Sequence, residues 1–345
     1  MKNRIYIAIV IRLVTLSALA AAVGGLINSC SDLTNLPNTS PDDNTIIKWK
    51  VYSTSNSNIA SNYVYSLAVD QNGAIWVGTE NGLSKFSGNT WTTYRTSNSE
   101  IPGNVINAVI VDRNNIKWVG TSSGLAKYDD SQWTRYTVSN SMLPDNQVNA
   151  LAASGTGEIW IGTENGLAKL VDTEWTTYAS GSQTYYHAVK ALAIDSDGAI
   201  WVGTSNRLSK FNGISWSVYG TGNSGLLDNN IWAVAVDVNN IKWIGTSSAG
   251  VTKFDGSTWI TYRTTNSGIR SNTIMGLTTQ GTNIVWIGTA GGGLNLRNGS
   301  SWTYFIRSNS IIPSDNVTCI ALGAGGDKWI GTAGGLALYN ENGID

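Results

Sequence analysis

The sequence holds one histidine, two cysteines and five prolines in 345 residues. A single histidine excludes a multi-histidine metal site, and it excludes a histidine-dependent triad unless His187 supplies that member. Two cysteines cannot build a disulfide framework. Charged residues amount to 13%, against about 25% in ordinary soluble proteins. Lys plus Arg is 22 and Asp plus Glu is 23, a net charge of −1. No basic excess is available to neutralise a phosphate backbone, so nucleic acid is excluded as a main partner. Glycine (38) and tryptophan (15) are abundant within a hydrophobic fraction of 41%. That is enough to build a large core and too much for a disordered chain.

Residues 1–29 read as a targeting segment. Lys2, Arg4 and Arg12 precede an apolar run from Leu13 to Ile27, which is short of the about 20 residues a spanning helix needs. A positive start followed by such a run is the pattern of a secretory signal peptide. It stops at Ile27-Asn28-Ser29-Cys30. This stretch resembles a bacterial lipobox, although Asn28 departs from the usual pattern, and it makes Cys30 the candidate lipidation site. A plain secretory peptide with Cys30 incidental is the alternative. Residues 30–44 are polar, contain Pro37 and Pro41, and read as a flexible tether. Both readings place the mature chain outside the cytoplasm, either lipid-anchored in the cell envelope or secreted.

The rest of the chain repeats. Trp-(Val/Ile)-Gly-Thr begins at Trp76, Trp118, Trp160, Trp201, Trp243, Trp286 and Trp329, in steps of 41 to 43 residues. A second series runs Trp49, Trp91, Trp133, Trp175, Trp216, Trp259 and Trp302, and only Trp232 lies outside both. Each unit reads as four short strands. In the first these are Tyr63 to Val69 (A), Ala74 to Thr79 (B), Leu83 to Phe86 (C) and Thr90 to Tyr94 (D), separated by turn signals such as Asn72-Gly73. Strand B is apolar on both faces, so sheets must stack face to face. The glycine two residues after each Trp is expected to leave room for a bulky neighbour from the next sheet. Four-stranded units of this length, stacked through both faces, predict an all-β, seven-bladed β-propeller over residues 45–340, followed by a short tail, 341–345. The last unit lacks a strand D and residues 46–52 are an orphan strand D. Pairing the two closes the ring and leaves no open edge around it. The expected state is a monomer without a cofactor.

The string Ile75-Trp76-Val77-Gly78-Thr79 with Gly82-Leu83, and its counterparts at 159–163 and 329–332, resembles the two-component regulator propeller repeat. The resemblance covers residues 46 to 340. It implies an oligosaccharide-sensing, non-enzymatic binding function in the envelope. The chain resembles a freestanding relative, expected to lack the kinase and immunoglobulin-like modules usual in that family.

The seven units serve as one another's background: repeated positions are scaffold, and breaks in the pattern are candidates for function. The D–A loops and B–C turns open on one face, and long loops on a rigid frame are a default place for binding. Fourteen residues before each motif Trp stand Asn62, Asn104, Asn146, His187, Asn229, Asn272 and Asp315. They are either loop-capping side chains or a polar ring at the channel mouth. The fourth unit breaks the pattern with Tyr185, Tyr186 and His187 in its D–A loop, and with Arg207 where other units have glycine. A variable position in strand A reads Tyr65, Asn107, Asn149, Lys190, Trp232, Met275 and Thr318. Tyr185, Tyr186, His187, Lys190, Arg207 and Trp232 are therefore the candidate ligand site, with Tyr63 and Tyr65 a second cluster. Aromatic rings beside cations suit a neutral sugar or an uronate, and the same rings can instead serve inter-blade packing. Asp70 to Gly73 and Asp195 to Gly198 read as hairpin turns rather than calcium loops. The lysines at 85, 127, 169, 210 and 253 read as scaffold. Two alternatives to a glycan- or protein-binding propeller are retained. One is a lyase of the virginiamycin B lyase type, or a hydrolase, with His187 as base and Arg207 or Lys190 as electrostatic partner. The other is a protein–protein scaffold.

Overall fold

The computed structural model describes residues 47–178 and 188–344. The targeting segment, the tether, Cys30, Tyr185, Tyr186 and His187 lie outside the described residues. The described chain forms seven four-stranded antiparallel sheets. In the first, Val64–Val69, Ile75–Thr79, Gly82–Ser87 and Thr90–Tyr94 lie in sequence order as strands A to D. Strand A of each blade packs on strand A of the next, and blade 7 returns to blade 1. This is the expected seven-bladed propeller. The ring closes as the sequence requires. Trp49–Tyr52 pairs antiparallel with Gly335–Tyr339, in the register Trp49 to Tyr339 and Tyr52 to Leu336.

Strand B is buried along its whole Trp-x-Gly-Thr stretch in every blade. The motif glycine sits where it must. A Cβ on Gly162 would stand 2.3 Å from Val189 Cγ1, and one on Gly245 would stand 2.5 Å from Ile274 Cγ2. In both cases the neighbour is the first residue of strand A in the next blade.

The two tryptophan series interlock through a third aromatic. The Tyr or Phe that ends strand D stacks on the motif Trp of its own blade at 5.5–6.4 Å. It also meets the strand D Trp of the following blade at 5.4–5.8 Å, edge-on or tilted. Aromatic contacts of this kind add to the area they bury, and here they run unbroken around the ring. Lys85, Lys127, Lys169 and Lys210 lie over the motif Trp of their own blades at 5.2–5.7 Å, which is the scaffold role expected of them. The turn aspartates are likewise structural. Asp70 accepts the backbone N–H of Asn72 and Ala74 through Oδ1 and the Trp76 indole N–H through Oδ2.

Burial pushes the Tyr52 phenol up to about 12, aided by Asp327, and the Tyr94 phenol up to about 12, aided by Tyr128 and Asp130. An unfolded tyrosine ionises near about 10. The folded state therefore holds these protons more tightly, and the stabilisation is complete below about pH 10 and lost as pH rises toward about 12. Urea midpoints are expected to hold flat from neutral pH to about 10 and then fall, with a smaller fall for Tyr52→Phe.

Candidate ligand-binding site at the channel mouth

A second irregularity is common to all blades. The pairing of strand A with strand B skips one residue in each sheet, between Val64 and Ser66, Ile106 and Ala108, Val148 and Ala150, Val189 and Ala191, Ile231 and Ala233, Ile274 and Gly276, and Val317 and Cys319. The skipped residue is the variable one at every step. A β-bulge releases one residue from the ladder and re-aims its side chain. Strand A is the innermost strand, so seven bulges place Tyr65, Asn107, Asn149, Lys190, Trp232, Met275 and Thr318 around the axis. Five of these, together with Tyr63, line a single cavity of about 340 Å³.

The polar members of this ring are already engaged. Asn107 Nδ2 donates to the Val148 carbonyl at 2.9 Å, and Thr318 Oγ1 donates to the Val64 carbonyl at 2.5 Å. Each ties its blade to the next. Glu164, in a B–C turn, accepts from Asn149 Nδ2 at 2.9 Å and from the Lys190 ammonium at 3.3 Å. The aromatic members are available. Trp232 is 37% exposed and Tyr65 is 36% exposed. The Trp232 indole N–H donates to Asn230 Oδ1 at 3.0 Å, which holds the ring in place. Tyr63 and Tyr65 lie 4.7 Å apart. Burial, then Tyr63 and Glu80, raise the Tyr65 phenol above its ordinary range, so it stays a neutral donor.

Two of the six proposed site residues, Lys190 and Trp232, therefore share this cavity, with the cluster Tyr63 and Tyr65. Arg207 lines a different groove, beside Gly220, Thr221 and Asn229. The Asx positions are loop caps. Asn62, Asn104, Asn146, Asn229, Asn272 and Asp315 each accept, through Oδ1, the backbone N–H eight residues earlier, at 2.8–3.0 Å. A polar ring at the mouth made of these six is thereby corrected. The Ser-Asn-Ser loops are equally self-contained: Asn98 Oδ1 accepts the Arg95 N–H and its Nδ2 donates to the Thr93 carbonyl, a pattern kept in five other loops. The signal that finds the mouth is the variable position alone, which repetition in six blades could have separated from the capped loops.

Among the described residues no group of three or more His, Cys, Asp or Glu is placed to hold a metal ion. Among them, too, no helix is long and apolar enough to cross a membrane.

Residues 58–81, 142–165 and 185–206 match the family model described as two component regulator propeller. No curated protein matches the sequence. Among solved structures, the extracellular domain assigned to the hybrid two component system BT3049 of B. thetaiotaomicron is 22% identical, with a TM-score of 0.71 over 85% of this chain and 42% of that one. PorZ, a surface component of the type-IX secretion system of Porphyromonas gingivalis, is 20% identical, with a TM-score of 0.68 over 84% of this chain and 48% of that one. Virginiamycin B lyase from Staphylococcus aureus is 14% identical, with a TM-score of 0.68 over 85% of this chain and 98% of that one. The chain thus spans less than half of the first two. At these identities the likeness is one of fold. The chain is thus a seven-bladed propeller, three segments of which match the two component regulator propeller repeat.

Proposed function

We propose that the chain is a non-enzymatic binding propeller of the cell envelope, attached through Cys30, that takes a neutral oligosaccharide at the channel mouth. The observation that carries this reading is the coincidence of bulge and variability. The scaffold is repeated seven times, and the one residue per blade that the ladder releases toward the axis is the one that differs. Exposed aromatic rings (Trp232, Tyr65) and the half-buried Tyr63 meet the C–H face of a sugar ring, and Tyr65 offers a hydrogen-bond donor. Glu164 offsets the charge of Lys190, and Glu80 adds a second carboxylate on this face, held by the Ser61 hydroxyl at 2.8 Å. An uronate is therefore disfavoured relative to a neutral sugar.

The test is an array of neutral and uronate-bearing oligosaccharides followed by titration calorimetry. Neutral glycans are expected to bind, and Trp232→Ala is expected to weaken them by about tenfold or more (about 1.4 kcal/mol) with an unchanged thermal midpoint. Glu164→Gln, which frees Lys190, is expected to raise affinity for uronates. If no glycan binds, or if Trp232→Ala leaves affinity intact, the reading fails and a protein-docking scaffold takes its place. The fold likeness to virginiamycin B lyase supports a second reading, a lyase using His187 with Lys190 or Arg207. Product formation that is lost in His187→Ala while affinity is kept would favour the lyase.

A further inference from the structure

Each motif Trp is dressed by its surroundings in up to three ways. An acidic or amide side chain six residues earlier accepts its N–H. A lysine of its own strand C covers one face. A cation from the following blade enters over the ring. Blade 1 shows all three. Asp70 accepts the Trp76 N–H at 3.0 Å, Lys85 lies 5.2 Å from the ring centre, and the buried Lys117 of blade 2 lies 5.5 Å from it and 3.8 Å from Asp70. Blade 4 repeats this with Asp195, Lys210 and the buried Lys242. Trp286 receives Lys328, and Trp243 receives Arg297.

Trp329 of blade 7 has none of the three. Gly323 stands at the acceptor position, Leu338 replaces the strand C lysine, and Ile75 of blade 1 replaces the incoming cation. Gly323 and Ile75 line a cavity of about 130 Å³ that also touches Phe86, Asp327 and Trp329, and it adjoins a cleft of about 500 Å³ over the seam of blades 7 and 1. Trp329, Phe86, Tyr52, Lys50 and Asp327 line this larger cleft. Trp329 is 4% exposed, and its indole N–H has no acceptor among the described residues. Lys50 lies 5.6 Å over the Tyr52 ring, and neither it nor Asp327 forms an ion pair among the described residues. Among the described residues the hydrogen bond to the Asp327 carboxylate comes from Asn340 Nδ2, at 2.8 Å.

We propose that this seam cleft binds a small zwitterion, a free α-amino acid. The seams after blades 1 and 4 show the chemistry that completes the slot, a carboxylate on the indole N–H and an ammonium over the ring, and an amino acid carries both on one small molecule. Its carboxylate accepts from the Trp329 N–H and the Lys50 ammonium. Its ammonium pairs with Asp327 and lies over the Trp329 and Tyr52 rings. Its side chain lies toward Phe86. The site is separate from the channel mouth and does not depend on the glycan reading.

The test is calorimetric titration of the full-length chain with the common L-amino acids, and with N-acetyl and carboxamide forms of whichever binds tightest. At least one amino acid is expected to bind. Blocking either charge, Asp327→Asn or Lys50→Met is each expected to cost about tenfold or more in affinity. Trp232→Ala is expected to change nothing. The pair Gly323→Asp with Ile75→Lys, which rebuilds the dressing found in blade 1, is expected to abolish binding without lowering the thermal midpoint. Absence of binding by every amino acid at millimolar concentration would overturn the proposal. So would binding that survives both Asp327→Asn and Lys50→Met, two substitutions at the cleft lining that leave every buried side chain of the core in place.

Discussion

Starting the chain at Ser53, and so deleting the closing strand, is expected to abolish cooperative unfolding of the ring. The deletion removes four paired residues from blade 7 and exposes Leu336, Ala337 and Leu338, all buried in the intact ring. It also breaks the aromatic chain at two points. Tyr52 is 7% exposed and contacts Phe86, Trp91 and Trp329, while Trp49 contacts Phe305 and Tyr339. The milder variant Tyr52→Ala leaves a cavity among those rings and is expected to cost about 3–5 kcal/mol, read as a lower urea midpoint at constant slope. A truncated chain that unfolds in one transition at the intact midpoint would show that closure does not hold the ring together.

The second large effect lies at the motif glycines. Gly162→Ala places a methyl group 2.3 Å from Val189 Cγ1 and 2.9 Å from its Cβ. Both partners are on buried strands, so neither can move away alone, and overpacking of this kind costs about 1–3 kcal/mol. Gly222→Ala is the control. Nothing lies within 4 Å of its added Cβ, and the change is expected to stay within about 1 kcal/mol of the parent. Equal effects at the two sites would mean that the seams between blades are looser than the packing of Val189 against Gly162 implies.

The blade count and the closing register were legible because both rest on features that sequence carries directly. Tryptophan recurs once per strand B, and Trp49 has no other partner than the gap after Tyr339. The site was only partly legible. Lys190 and Trp232 were singled out because they vary between repeats, and both line one cavity. Arg207 also breaks the repeat, but for a local reason. Its counterparts Gly82, Gly124 and Gly166 take φ of +127° to +141°, whereas the Arg207 turn is closed by the Thr204 hydroxyl and faces another groove. Breaking a pattern marks a difference and not a direction. The Asx positions are the loop caps that one of their two readings gave, because their recurrence at one place in every blade marks scaffold. The bulges were invisible. A skipped residue is defined by its partner strand, and the sequence of strand A alone does not reveal it. The buried Lys117, Lys242 and Lys328 could have been found, because lysine directly before a motif Trp replaces the Ile or Val of other blades.

The most direct test of the channel-mouth reading is fluorine NMR of the chain labelled with 5-fluorotryptophan, titrated with the tightest glycan from the array and assigned through Trp232→Phe. The account predicts that the Trp232 resonance moves with saturation matching the calorimetric affinity while those of the buried motif tryptophans hold still. A saturable shift at another tryptophan, with Trp232 unmoved, would contradict it.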